Sequence, residues 1–351
     1  MVSGGDADPE LSADARRQVA RWLFGVCIGI VILVVFGGWV RLTHSGLSMT
    51  DWRPVTGFLP PLTEAAWDAA FRAYANTPEY RLINTGMALA DYKFIYWMEY
   101  THRLMGRLVG LAFVVPLVVF LVRGILPPRR LLPFAVVGVL FALQGLLGWL
   151  MVKSGLVDVP QVSPYRLAAH LLLALLLLVA CQWLALSYWF GPEGADGNAA
   201  AALRGPAWLF LGLLVAQIGS GTLMAGLKAG WVSAAFPKMM GQWVPAGLLS
   251  QEPWFRNLFE NQLTVHFQHR WLAFAVLAAA ALLAYRGRGL ELPERRRLAL
   301  ASAPYAVAAQ LFIGIGVVVM SVPVGLASLH QAAGVAALLL AVFVCQQISS
   351  R

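Results

Sequence analysis

The stretch 99–122, EYTHRLMGRLVGLAFVVPLVVFLV, decides the fold of this chain. It ends in an apolar run, and its length matches the roughly 20 residues that a helix needs to cross a bilayer. Its beginning carries four ionisable residues, Glu99, His102, Arg103 and Arg107. Placing each such group in the hydrocarbon of a membrane costs roughly 2.5–3.5 kcal/mol of free energy. We therefore expect a transmembrane helix whose charged end faces the interior of a helix bundle and has a function there.

The composition is that of an integral membrane protein. Of 351 residues, 59% are hydrophobic and 12% are charged, whereas soluble domains carry about 25% charged residues. The net charge of +9 comes from arginines in short turns, not from the exposed cationic face that nucleic-acid binding requires. We predict an all-α membrane fold and no nucleic-acid partner. The eight predicted spans are 22–40, 101–123, 132–152, 167–190, 206–227, 264–285, 298–320 and 325–347.

Arginine clusters predict the orientation in the lipid bilayer. Arg16, Arg17 and Arg21, the turn 123–130 and the turn 286–297 all fall on one side of an eight-span protein. The positive-inside rule makes that side cytoplasmic, so both termini are expected on the cytoplasmic side of the membrane. The predicted parts are a cytoplasmic tail (1–21), an N-terminal half (22–190), a cytoplasmic linker (191–205) and a C-terminal half (206–351).

Two long connections, 41–100 and 228–263, are expected on the outer, periplasmic side. In the first, Trp67, Phe71 and Tyr74 recur at helical spacing, which predicts an amphipathic helix. The second is rich in Trp, Pro and Gly, and we expect an ordered lid or an interfacial segment there.

Several segments of the two halves correspond to each other. EYTHRLMGR (99–107) matches HFQHRWLAF (266–274), and QGLLGWLMV (144–152) matches QLFIGIGVVV (310–319). A repeat of four spans enters the membrane twice in the same direction, which predicts a parallel repeat. Each copy is expected to form a four-helix bundle, and the core of such a bundle is a usual place for a cofactor.

Four histidines follow this repeat. His102, His170, His269 and His330 lie near the outer starts of spans two, four, six and eight. Two imidazoles from different helices of one bundle are the natural axial pair of a haem. The alternative for any one of them is a hydrogen-bonded packing residue. A zinc site fits poorly, because each half offers two histidines without a nearby ligand cysteine, and the three cysteines lie in apolar runs.

Segments across the chain resemble haem A synthases of the mitochondrial and alphaproteobacterial branch. They are GGWVRLTHSGLSMTDWRPVTGFLPP (37–61), PEYRLINTGMALADYKFIYWMEYTHRLMGR (78–107), YRLAAHL (165–171), NQLTV (261–265) with His269-Arg270, and LHQAAG (329–334). The resemblance implies an oxidoreductase that converts the C8 methyl of haem O to a formyl group, giving haem A for cytochrome c oxidase. It also implies a haem b cofactor, and as partners haem O synthase, cytochrome c oxidase assembly factors and an unidentified electron acceptor.

The resemblance also implies roles for individual residues. His269 and His330 would ligate the iron of haem b, and His102 and His170 would flank the iron of the substrate haem. Glu99 would be the catalytic carboxylate. Arginine binds carboxylates in a bidentate manner, so propionates are expected at Arg270 on the cofactor and at Arg103, Arg107 and Arg166 on the substrate; alternatively these four arginines mark the lipid headgroup boundary.

Two features leave alternatives open. Glu99 and Arg103 are four residues apart on one helix, and an exposed salt bridge between them is the alternative to a catalytic role. His266 stands where the resemblance leads us to expect a glutamine. It would bind a propionate, compete for iron, or be a polar residue at the lipid–water boundary.

Three other protein classes compete with this assignment. A dihaem b-type electron-transfer cytochrome linked to quinol shares the four histidines but does not need Glu99. A transporter would place its ionisable groups at the midplane of the membrane, whereas here they cluster at the outer ends. An assembly factor without a cofactor leaves the four aligned histidines unexplained.

Overall fold

A computed structural model describes residues 11–52, 57–191 and 197–349. Within these residues eight helices are long and apolar enough to cross a membrane, which confirms the eight predicted spans and the all-α membrane class. They are α1 (Ala13–Leu42), α4 (Leu89–Val122), α5 (Leu132–Ser154), α6 (Pro164–Phe190), α7 (Gly197–Gly226), α9 (Gln262–Gly287), α10 (Glu294–Val319) and α11 (Val324–Ser349). Shorter helices are α2 (Glu64–Ala75), α3 (Pro78–Leu82) and α8 (Asn257–Glu260).

The long helices pack as two groups of four. In the first group α1 contacts α4 and α6, and α6 contacts α5; in the second α7 contacts α9 and α11, and both of these contact α10. The order of neighbours is the same in both groups, in agreement with the predicted repeat. One contact differs: α4 and α5 share few contacts, whereas their counterparts α9 and α10 pack closely.

The two groups meet along α1, α6, α7 and α11, whose apolar side chains form one continuous core. Glutamine side chains form hydrogen bonds across this interface. The Nε2 of Gln182 donates to the carbonyl of Leu339 (2.7 Å), and that of Gln331 donates to the carbonyl of Val34 (2.9 Å). Each bond gives a buried amide a partner on the other half. The three cysteines are buried, as expected for small residues in apolar runs.

Contacts between helix ends bring the arginine turns together. The Nε of Arg16 at the start of α1 donates to the carbonyl of Tyr188 at the end of α6 (3.4 Å). Arg295 at the start of α10 donates to Gln347 near the end of α11 (2.8 Å) and lies over the ring of Phe190. These helix ends therefore lie at one end of the bundle, as the predicted topology requires; the cytoplasmic assignment of that end stays a prediction.

Three helices begin earlier than the predicted spans. Helix α1 begins at Ala13 inside the predicted tail, where Ser12 caps it by accepting from the amide of Ala15, a favourable start for a helix. Helix α7 begins at Gly197 inside the predicted linker, and the alanines at 199–202 have high helix propensity. Helix α4 begins at Leu89, so His102 lies more than three turns from its start. Residues 1–10 and 192–196 lie outside the described part.

The outer part of α4 is extended by an aromatic cluster. Trp67 and Tyr74 of α2 pack against Tyr92, Tyr96 and Tyr100 of α4, and all five are buried. The predicted amphipathic helix is therefore confirmed, with its aromatic face on protein. Burial of large rings supplies the hydrophobic stabilisation that extends α4 beyond the apolar span.

The second connection, 228–263, is held near α9. Asn261 accepts from the amides of Leu263 and Thr264, and its Nδ2 donates to the carbonyl of Gly247 (3.1 Å). The segment also exposes three tryptophans. The segment is therefore ordered, and exposed tryptophans of this kind are typical of a membrane interface; the interfacial location stays a prediction. The three are Trp231, Trp243 and Trp254.

Candidate functional site

Each of the four histidines lies against a glycine of the neighbouring helix. A Cβ atom added to that glycine would lie 2.7–3.1 Å from the Cε1 atom of the imidazole, which is too close for an ordinary contact. The glycine therefore lets the ring approach the helix backbone. The pairs are His102 with Gly37, His170 with Gly148, His269 with Gly221, and His330 with Gly314.

These four contacts lie at a similar distance from the helix ends. Each glycine lies about one and a half turns before its helix ends, at Leu42, Ser154, Gly226 and Val319. The predicted grouping of the histidines by repeat therefore has a common local geometry. Two histidines belong to each four-helix group.

Three of the imidazoles also have a glutamine amide beside them. The Nε2 of Gln217 lies 3.3 Å from the Nε2 of His269, the Nε2 of Gln310 lies 3.5 Å from that of His330, and the Nε2 of Gln144 lies 3.4 Å from that of His170. Sequence reasoning missed these glutamines, although a common signal was present: each precedes its glycine by four residues.

A cavity of about 280 Å³ lies in the C-terminal half. Its walls include His269, His330, Gln217 and Gln310, and most of the remaining lining is aliphatic. A concave apolar site with a few convergent polar groups is the usual form of a cofactor pocket. It is the part of the fold in which the haem b cofactor was expected.

The residues around this cavity fit a haem. The imidazoles of His269 and His330 line this cavity from two different helices, as the two axial ligands of one haem would, and each keeps a buried Nδ1 without a hydrogen-bond partner among the described residues. The Nη1 of Arg270, which lines the same cavity, is likewise buried without a described partner. Buried polar atoms in this state are costly unless a ligand or water completes them.

His266 and Arg270 form a pair in the wall of the cavity. The Nε of Arg270 donates to the Nε2 of His266 (2.9 Å), and its Nη2 donates to the carbonyl of Ser233 in the second outer connection (3.1 Å). His266 is fully buried, so its ring faces protein. The pair ties the outer connection to α9.

Glu99 and Arg103 occupy the equivalent positions in the first half. The Oε1 of Glu99 accepts from the Nη2 of Arg103 (2.5 Å), and its Oε2 accepts from the hydroxyl of Ser48 and the amide of Met49 (2.8 Å each). Arg103 also donates to the carbonyls of Met49 and Asp51. The salt bridge therefore forms, but it is buried and not exposed: the two side chains are 3% and 9% exposed.

The described contacts of the other two predicted arginines are of different kinds. The guanidinium of Arg107 lies over the ring of Phe58, 5.3 Å from its centroid. The Nη1 of Arg166 donates to the carbonyl of Leu150 at 2.7 Å, and this contact joins the start of α6 to the end of α5. A further arginine was missed: Arg41 at the end of α1 lines the C-terminal cavity and donates to the carbonyl of Ala225. The sequence could have indicated it, because Arg41 is a charged residue at the end of an otherwise apolar helix.

Comparison with known proteins gives a consistent result. A protein-family model described as "Cytochrome oxidase assembly protein" (COX15-CtaA) matches residues 20–344. The chain is 43% identical to a "Heme A synthase" of Bradyrhizobium diazoefficiens over 97% of this chain and 94% of that protein. It is 40% identical to one of Nitrosospira multiformis (90% and 89%) and 38% identical to one of Nitrosomonas eutropha (99% and 100%).

These matches cover all eight long helices, the four histidines and both arginine pairs. A dihaem electron-transfer cytochrome finds no support among these relatives. The chain belongs to the COX15-CtaA family of cytochrome oxidase assembly proteins.

Proposed function

We propose that this chain is a haem A synthase, an integral membrane enzyme that oxidises the C8 methyl of haem O to a formyl group and so produces haem A for cytochrome c oxidase. The observation that carries the proposal is one arrangement repeated in both halves: two glycine-backed histidines in each four-helix group. Two haem sites with similar geometry suit a cofactor and a substrate of the same chemical class. Relatives named "Heme A synthase" over nearly the whole length support this assignment.

The C-terminal half is the proposed cofactor site. His269 and His330 hold haem b, which when bound supplies one-electron redox chemistry. Arg270 directs its Nη1 to a propionate, because its other nitrogens are taken by His266 and Ser233. Arg41 is a second cation in the wall of the same cavity and balances the other propionate.

The N-terminal half is the proposed substrate site. His102 and His170 bind the iron of haem O, and the cations of Arg107 and Arg166 attract its propionates, because Arg103 is already paired with Glu99. The few contacts between α4 and α5 leave this half less enclosed than the other. A long apolar substrate that arrives through the bilayer needs such an opening between helices.

Glu99 is proposed to act on the reacting methyl as a fixed negative charge. Oxidation of a methyl group removes hydrogen and develops positive charge at the carbon, which a nearby carboxylate stabilises or relieves of a proton. The hydrogen bonds from Ser48, Met49 and Arg103 hold the carboxylate in one position. A preorganised charge in a site that excludes water is the most effective kind.

Both haem sites are assigned to the periplasmic side of the inner membrane, with both termini cytoplasmic. The electrons released by the oxidation leave through an electron acceptor, water supplies the oxygen atom of the formyl group, and the displaced hydrogens leave as protons. Haem O synthase supplies the substrate, and assembly factors of cytochrome c oxidase receive the product.

The test is the visible spectrum and extracted pigment of the purified protein beside His102→Ala and His269→Ala. We expect haem b together with haem O or haem A in the wild type. Loss of the haem b signal is expected only in His269→Ala, and loss of haem A formation in both variants. Equal loss of haem b in both variants, with no haem O or A in any extract, would make the dihaem electron carrier the better account.

A further inference from the structure

The four histidines differ in the polar contacts that hold them, and the C-terminal half provides more of these contacts than the N-terminal half. Three glycines are preceded by a glutamine one helical turn earlier: Gly148 by Gln144, Gly221 by Gln217, and Gly314 by Gln310. Residues four apart lie on one face of a helix, so each glutamine stands beside the histidine that its glycine contacts. The fourth glycine, Gly37 beside His102, is preceded by Leu33.

The glutamines of the C-terminal half hold their histidines twice. The Nε2 of Gln217 donates to the carbonyl of His269 (3.1 Å) as well as approaching its ring nitrogen (3.3 Å). Gln310 does the same for His330, at 2.9 Å and 3.5 Å. Gln144 is described with the ring contact to His170 alone (3.4 Å). The number of glutamine contacts to each histidine therefore decreases in a series. His269 and His330 have two, His170 has one, and His102 has Leu33 in place of a glutamine.

The chemistry of an amide donor explains what such a contact does. An N–H that donates to Nε2 requires a lone pair there, so the ring proton stays on Nδ1. This is the tautomer whose Nε2 is ready to bind a metal. When a metal binds that lone pair, the amide loses its hydrogen bond to the ring. Gln217 and Gln310 keep the hydrogen bond to the main-chain carbonyl of their histidine and so still hold the residue.

Leucine provides neither contact. Leu33 has no donor, and the ring of His102 has instead an apolar neighbour in Phe36, with the ring centroids 6.4 Å apart. His102 also lies on α4, the helix with few contacts to α5. Its imidazole is therefore free of the outer support that fixes a metal ligand in place.

We propose that this series decides which haem stays and which haem leaves, and that Leu33 makes His102 the releasing ligand of the N-terminal site. The inference rests on the proposed function, because it treats one haem as cofactor and the other as substrate and product. Gln217 and Gln310 are positioning residues that retain haem b. Leu33 is a positioning residue of the opposite kind, which keeps the product from being held as tightly as the cofactor.

The experiment measures haem release from the full-length protein to excess apomyoglobin. The protein is loaded with haem B or with haem O, and the fast phase is assigned to the N-terminal site by its loss in His102→Ala. Loss of support around a metal ligand typically costs about 10–100-fold in affinity. We therefore expect Leu33→Gln to slow the fast phase about tenfold or more. The size control, Leu33→Met, is expected to stay within about twofold of the wild-type rate.

A second variant, Gln217→Leu, makes the opposite change and shows whether a folding defect explains the result. Gln217→Leu is expected to speed the slow phase, from the C-terminal site, about tenfold, while its fast phase keeps the wild-type rate. The inference is overturned if Leu33→Gln, with its slow phase unchanged, releases haem at the wild-type rate, or if Gln217→Leu leaves the slow phase unaltered. Release is measured without turnover, so slowed release in a protein that never forms haem A would support the inference and reject the synthase assignment.

Discussion

The two halves of the molecule use one scaffold for two different sites. In both halves a residue one turn before an arginine of the second long helix bonds to that arginine, and the arginine donates to carbonyls of the outer connection. In the first half the partner is the carboxylate of Glu99, and in the second it is the neutral ring of His266. The first pair carries an anion and a cation, whereas the second carries a cation alone.

This difference alters the charge that each site offers. Arg270, whose partner His266 carries no charge, would attract an anionic propionate to the C-terminal cavity. In the other half Arg103 is neutralised by Glu99, and the carboxylate itself is the added feature. In the proposed assignment, a single exchange at one repeat position therefore distinguishes the site that holds the cofactor haem from the site that acts on the substrate haem.

The largest effect is expected from adding a methyl group at the glycine contacts. Gly314→Ala places a Cβ 2.7 Å from the Cε1 of His330, and Gly37→Ala does the same at His102. We expect Gly314→Ala to lose most of the haem b absorbance and Gly37→Ala to keep it while losing haem A formation. Absorbance of the purified proteins and extracted haem provide the measurement.

Gly212→Ala is the matched control, because a Cβ at Gly212 meets no atom within 4 Å. Alanine is favoured over glycine in a helix by roughly 0.5–1 kcal/mol, so this variant should keep haem b and its thermal stability. Loss of haem b from Gly37→Ala to the same extent as from Gly314→Ala would show that the halves do not have separate roles.

A smaller effect is expected at the pair that differs between the halves. Glu99→Gln keeps the shape and one acceptor but removes the charge, and we expect haem A formation to fall about 100-fold or more with haem b intact. Haem A in extracts is the measurement.

Ser48→Ala distinguishes a role of Glu99 in the reaction from a role in anchoring the outer connection to α4. It removes one hydrogen bond to Glu99, about 1 kcal/mol of support, and leaves the carboxylate in place, so haem A formation should fall less than tenfold. Equal losses in the two variants would make Glu99 an anchor of the connection, and normal output from Glu99→Gln would remove it from the mechanism.

The smallest effect is expected outside the membrane, where the first connection has a buried carboxyl. Burial raises the pKa of Glu79 to about 7, although the hydroxyl of Tyr74 opposes this by donating to it. The folded state then binds the proton more tightly than the unfolded chain, so the connection is most stable at low pH and loses stability as the pH rises towards 7.

Glu79→Gln keeps the acceptor for Tyr74 and cannot ionise. We expect it to protect the amides of 64–82 from hydrogen exchange better than the wild type at pH 8 and equally at pH 5, after correction for intrinsic rates. A wild-type protection that does not change between pH 5 and pH 8 would contradict the prediction.

The spans and the four histidines could be predicted from the sequence because both follow simple patterns. Apolar length predicts a span, and the repeat aligns His102 with His269 and His170 with His330. The start of α4 at Leu89 could not be predicted in this way, since it depends on Tyr92 and Tyr96 packing against a separate helix.

The surroundings of the site were harder to predict for the same reason. Gln217 lies on a different helix from His269, which it approaches, and Arg41 lies on a helix of the other half from the cavity that it lines. Hydropathy does not predict which helix faces which. The glycines can be read in the sequence, but their role depends on a close contact between two helices that the sequence does not reveal. Pairwise packing, rather than the character of single segments, is what the sequence alone leaves out.

Two consecutive glycines of α1 link the sites through one wall. Gly37 faces His102 of the first half, and Gly38 faces the side chain of Gln331, the neighbour of His330. A displacement of α1 that accompanies filling of one site therefore alters the space at the other. Thermodynamic linkage makes this influence reciprocal: whatever factor bound cofactor adds to the affinity for substrate, bound substrate adds to the affinity for cofactor.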